Sequence, residues 1–123
     1  MIDFFKGRLR SFGYAFQGIG ILFKSQVNAK IHLLAIILIV ALGFYLGLTA
    51  AEWCWIVLCM GFVLCMEAIN TALEFLVDLV SPERNPLAGK VKDVAAGAVL
   101  LSVIFAAVVW GIIFLPKLLA LWS

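Results

Sequence analysis

Charge is scarce in this chain. Aspartate, glutamate, lysine and arginine together supply 13% of its 123 residues, about half of what a soluble domain carries. Hydrophobic residues supply 66%, and the mean hydropathy is +1.19. A soluble protein this small keeps a large share of its residues wet and could not hide that much apolar surface. A cytosolic enzyme, a secreted module and a disordered tail are therefore excluded, and the solvent for most of the chain is lipid. The net charge of +2 leaves no electrostatic footprint for nucleic acid. Cys54, Cys59 and Cys65 have neither zinc-ligand spacing nor an even disulfide count, and they read as inert buried thiols. The opening Met1 to Arg10 lacks the short apolar core and small-residue cleavage site of a signal peptide. No G-x-x-x-x-G-K-[ST] loop and no kinase-type glycine loop occurs, so a nucleotide site here must be built without those scaffolds.

What remains is a single domain over residues 1–123 with three stretches long enough to cross a bilayer, which takes about 20 helical residues. The expected spans are 31–51, 53–80 and 90–115. Thr49 to Glu52 reads as a short hairpin, Ser81 to Gly89 as a polar loop with two prolines, and Pro116 as the end of the third span. Eight basic residues (Lys6, Arg8, Arg10, Lys24, Lys30, Arg84, Lys90 and Lys92) flank one side of these spans, against Lys117 alone on the other. That asymmetry places the amino terminus and the proline loop in the cytoplasm. Residues 3–28 differ in kind. Phe5, Leu9, Phe12, Phe16, Ile19 and Phe23 recur at helical spacing, while Lys6, Arg10, Gln17 and Lys24 occupy another stripe, which suits a helix lying in the headgroup layer. Gly43 and Gly47 form a weak GxxxG signal. The tryptophans read as belt residues, and His32 as an interfacial hydrogen-bonding group at the mouth of the first span.

Chemistry concentrates at the inner end of the second span. Glu67, Asn70, Glu74 and Asp78 fall within an arc of roughly 80° on an α-helix and climb about 16 Å along it. An acidic residue facing lipid near a helix centre costs at least ~2.5–3.5 kcal/mol. Three on one face therefore need water, a cation or a basic partner. Lys90, Lys92 and Asp93 enter from the same side and precede the small residues Ala95, Ala96, Gly97 and Ala98, which permit close helix approach. Carboxylates, an amide and a lysine at a membrane boundary suit a divalent cation on phosphates and phosphoryl transfer with a carboxylate base.

The run Glu67-Ala68-Ile69-Asn70-Thr71-Ala72-Leu73-Glu74, then Val77-Asp78, Ala88-Gly89-Lys90-Val91-Lys92-Asp93 and Ala95-Ala96-Gly97-Ala98-Val99 resembles the prokaryotic diacylglycerol kinase family. That family includes undecaprenol kinases. The resemblance extends from Gly13-Tyr14-Ala15-Phe16 to Ile113-Phe114-Leu115-Pro116-Lys117. It implies an all-α integral membrane fold: an amino-terminal amphipathic surface helix plus three transmembrane helices, assembled as a homotrimer in the bacterial inner membrane. Composite sites at the cytoplasmic boundary would bind ATP and magnesium and act on the hydroxyl of a membrane lipid, undecaprenol or diacylglycerol. By motif position Glu67 would be the general base and Asn70 would orient the reacting groups. Glu74 would hold magnesium. Tyr14, Gln26, Glu83, Asn85, Lys92 and Asp93 would bind nucleotide together with Glu74, supported by Asp78 and Arg10. Asn85 replaces a histidine found in some members. Gly7 stands where some members are basic, with Arg8 or Arg10 as substitutes. Gln26 stands where the family has a second, acidic metal ligand, so the site would lose one anionic group and activity could be reduced. The Phe114-Leu115-Pro116-Lys117 ending and the Asn85-Pro86-Leu87-Ala88 loop lean toward the undecaprenol branch. A small proton-coupled transporter using Glu67 and a non-catalytic membrane subunit are the readings from other classes.

Overall fold

The computed structural model describes residues 1–123 as four helices: α1 Ile2–Ser25, α2 Val27–Leu46, α3 Ala50–Val80 and α4 Pro86–Ala120. There is no strand. The last three are each long and apolar enough to cross a membrane, and this is an all-helical membrane protein. α3 and α4 form the main helix pair. Ile56, Val63, Ala95, Val99, Ser102 and Ala106 are buried, so small residues on α4 bring the two backbones together as their side-chain size predicts. α2 leans on α3, and α1 touches both more lightly.

The helix ends differ from the sequence expectation in four places. α1 ends at Ser25 rather than 28, because Gln26 alone takes an extended conformation (φ −109°, ψ 119°). Its N–H donates to the Leu22 carbonyl at 3.0 Å and its carbonyl accepts from the Lys30 N–H at 3.4 Å. A single residue thus serves as the end of one helix and the start of the next. The first hairpin turns at Gly47, Leu48 and Thr49, before Ala50 opens α3. Thr49 Oγ1 accepts from the Glu52 N–H at 3.2 Å and the Thr49 N–H donates to Glu52 Oε2 at 2.8 Å, a reciprocal cap that satisfies two donors at the helix start. α4 begins inside the expected loop. Asn85 Oδ1 accepts from the Leu87 N–H at 2.8 Å, and Pro86 fills the first helical position, where a missing N–H costs nothing. At the other end α4 runs through Pro116 to Ala120. Proline is tolerated within membrane helices where neighbouring groups re-satisfy the freed backbone.

The two glycines of the GxxxG pattern do unlike jobs. Gly47 has φ 69° and ends α2 in the left-handed conformation, its N–H and that of Leu48 both donating to the Gly43 carbonyl. Gly43 is covered by the Trp53 ring, and a Cβ there would lie 2.7 Å from that ring. Trp53 in turn packs on Phe44 with ring centroids 4.9 Å apart. The expectation of buried thiols is also corrected. Cys54 and Cys65 are exposed and Cys59 is half-buried, because α3 turns that side away from α2 and α4.

Candidate active site

α3 carries its polar ladder from a sealed to an open environment. Glu67 is 1% exposed and Asn70 is 5% exposed. Glu74 is half-buried and Asp78 is exposed. Helical periodicity sets the common face, and burial changes along it because α2 and α4 both meet α3 at Glu67, whereas at Asp78 the side-chain contact is with Lys92 of α4. Thr71 is buried beside the ladder and returns its hydroxyl to the Glu67 carbonyl at 2.9 Å.

Neither carboxylate oxygen of Glu67 has a hydrogen-bond partner, nor does Asn70 Oδ1. Asn70 uses its amide nitrogen instead, donating to Glu74 Oε1 at 3.3 Å. A buried polar group without a partner is rare and expensive. Glu67 and Asn70 nonetheless border a cavity of about 300 Å³ between α2, α3 and α4, with Asn28, His32, Ala96 and Val99 among its other walls, while their orphaned oxygens stay buried. His32 Nε2 stands 3.7 Å from Glu67 Oε2, beyond hydrogen-bond length. Sequence alone places His32 at an interface and carries no signal of this approach. The two residues lie on different helices, and no local spacing connects them.

The second polar cluster lies where α3 and α4 diverge. Lys92 Nζ pairs with Asp78 Oδ1 at 2.6 Å. Both line a polar cleft of about 330 Å³ with Glu83 and Asn85. Four of the residues singled out by sequence are therefore brought together here. Glu83 accepts from Ser81 Oγ only through its backbone carbonyl, which leaves its carboxylate open to the cleft. Asn85 spends its side-chain oxygen on the α4 cap. Asp93 is exposed and makes no ion pair with the cluster.

The remaining candidates are more dispersed within one chain. Gln26 is half-buried at the α1–α2 joint. Tyr14 is 64% exposed and Arg10 is exposed on α1, neither of them joined to the ladder by a hydrogen bond or ion pair. Arg8 lies over the Phe4 ring at 5.1 Å, so Arg10 is the less engaged of the two arginines near Gly7. No group of three His, Cys, Asp or Glu side chains converges tightly enough to hold a metal by itself.

Comparison with known proteins gives a consistent outcome. The family model for prokaryotic diacylglycerol kinase matches residues 13–114. The chain is 37% identical over 109 residues to undecaprenol kinase of Bacillus subtilis, covering 89% of each chain. It is 40% identical over 114 residues to a diacylglycerol kinase of Synechocystis, covering 92% of this chain and 65% of the relative. It is 26% identical over 115 residues to diacylglycerol kinase of Escherichia coli, covering 94% and 88%. With the matched region running from the middle of α1 into the last third of α4, the chain belongs to the prokaryotic diacylglycerol kinase family.

Proposed function

We propose that this chain is a bacterial multi-pass membrane lipid kinase that transfers the γ-phosphate of ATP to the hydroxyl of a membrane lipid alcohol. The observation that carries the mechanism is the sealed Glu67 carboxylate, whose two buried oxygens have no protein donor, on a residue that borders a cavity. In the proposed reaction Glu67 accepts the proton of the lipid hydroxyl. The hydroxyl oxygen forms a bond to the γ-phosphorus while the bond from phosphorus to the β–γ bridging oxygen breaks, and ADP leaves. Asn70, one turn from the base, donates its amide to Glu74 and so orients the phosphate-side carboxylate.

Magnesium takes one or two protein carboxylates and completes its octahedron with phosphate oxygens and water. The half-buried Glu74 fits that limited demand, with the Gln26 amide as a neutral second donor. When bound, the cation would neutralise phosphate charge. Lys92, held by Asp78 at 2.6 Å, would exchange this partner for nucleotide phosphates, with Glu83, Asn85, Asp93 and Tyr14 around the nucleotide and Arg10 supporting the site from α1. The basic asymmetry of the flanks supports a cytoplasmic amino terminus and active site in the inner membrane. The resemblance supports a homotrimer. Family membership gives the proton-coupled transporter reading no support. Between acceptors, the near-full-length similarity to undecaprenol kinase favours a polyprenol over diacylglycerol.

The test is an assay of purified protein with labelled ATP and magnesium, offering undecaprenol and diacylglycerol side by side. Label should enter undecaprenol faster. Glu67→Gln should lower turnover by about 10²–10⁴-fold, the usual worth of a positioned base, with nucleotide binding retained. Turnover of that variant at the parent rate would remove Glu67 as the base.

A further inference from the structure

A base that works once per cycle must also be emptied once per cycle. The lipid hydroxyl delivers a proton to Glu67, and Glu67 is 1% exposed with no hydrogen-bonded neighbour to pass it on. The wall that α4 contributes, including Ala96 and Val99, offers no titratable group. On α3 the next carboxylate, Glu74, is already engaged by the Asn70 amide and is assigned to the phosphate side. α2 supplies the remaining candidate. His32 directs Nε2 at Glu67 Oε2 across 3.7 Å, and its side chain is 19% exposed; it stands two residues after Lys30 at the mouth of the first span, between the sealed carboxylate and the charged flank.

We propose that His32 is the positioning residue for Glu67 and the carrier that returns its proton to solvent. The inference rests on the reading of Glu67 as base. After phosphoryl transfer, protonated Glu67 releases its proton to Nε2 of neutral His32. The resulting imidazolium then gives up its Nδ1 proton to water, which leaves Glu67 ionised and His32 neutral in the other tautomer. Exchange of the ring proton between the two nitrogens through solvent restores the starting tautomer, with no net gain or loss of atoms. The 3.7 Å gap closes by rotation of either side chain into the adjoining cavity. Imidazole suits the task because its two nitrogens can accept and donate at opposite edges near neutral pH.

The experiment uses the full chain reconstituted in lipid. His32→Ala should lower kcat by about 10- to 100-fold, the scale at which outer partners that orient a working group commonly count, with KM for magnesium ATP unchanged. Free imidazole in the buffer should restore a substantial part of the lost kcat, and should do nothing for Glu67→Gln. His32→Gln, which keeps bulk and a hydrogen-bonding end but cannot carry a proton, should remain slow while holding the parent thermal stability. Parent-level kcat in either His32 variant, or a loss in His32→Ala that imidazole leaves in place, overturns the inference. The two levels separate cleanly. Glu67→Gln inactive with His32→Ala unaffected removes His32 alone, whereas Glu67→Gln at the parent rate removes the base and this inference with it.

Discussion

Gln26 is a neutral amide where the family resemblance places an acidic metal ligand, and it is also the single extended residue between two helices. Its oxygen can coordinate a cation but contributes no charge. Gln26→Glu should lower the magnesium concentration for half-maximal turnover by about tenfold, equivalent to ~1.4 kcal/mol. A metal titration of activity that superimposes on the parent would take Gln26 out of the site. The ladder of Glu67, Asn70, Glu74 and Asp78 was legible before any coordinates, because one helical period fixes its face. Its gradient of burial was not, since that depends on α2 and α4 both closing over Glu67 while Asp78 meets only Lys92 of α4. His32 was illegible for the same reason. Its partner lies 35 positions along the chain on another helix, and a lone histidine at a span mouth carries no periodic signal.

Helix existence followed from hydropathy and spacing, while helix ends followed from individual caps. Asn85 shows one such cap at a residue also proposed for the site. Its oxygen holds the first turn of α4 at 2.8 Å, which leaves the amide nitrogen for the nucleotide contact that the family resemblance implies. Asn85→Ala should destabilise the protein by ~0.5–2 kcal/mol, the range for a lost cap. Asn85→Asp should keep most of that stability. Thermal melting of both variants in detergent checks the pair, and equal melting of Asn85→Ala and the parent would show the cap to be dispensable. Pro116 is where the expected helix end is corrected. Proline marks helix ends in soluble proteins, yet α4 continues four residues beyond it to Ala120. There Lys117 Nζ pairs with Glu52 Oε2 at 3.2 Å and ties the end of α4 to the start of α3. The GxxxG spacing was visible, but whether its glycines faced a helix, a ring or a turn could be read only once Trp53 and the α2 cap were placed.

The solitary chain exposes 9117 Å², whereas a compact soluble protein of its mass exposes about 6,500 Å². Only 13 of 123 residues are buried. Lipid can cover an apolar excess, but it does not explain why Tyr14, Arg10 and Gln26 lie apart from the α3 ladder within one copy. The proposed homotrimer, with sites shared between neighbours, would account for both. Co-expressing Glu67→Gln and Lys92→Ala chains in equal amounts should then recover activity that neither variant has alone. If each site draws Glu67 and Lys92 from different copies, about a quarter of sites receive both intact. No recovery from mixed assemblies would place both residues of each site in the same chain. Three spans and a surface helix can be read from composition and period, whereas stoichiometry leaves no such imprint in a single sequence.

The joint at Gln26 has a geometric corollary. With one residue between α1 and α2 there is no slack to absorb a change in length. Inserting or deleting a single residue within α1 would rotate everything upstream by about 100°, rolling its phenylalanine keel toward water and its lysines toward the acyl chains. The spacing between that keel and the elbow is therefore fixed as firmly as the residues that make it.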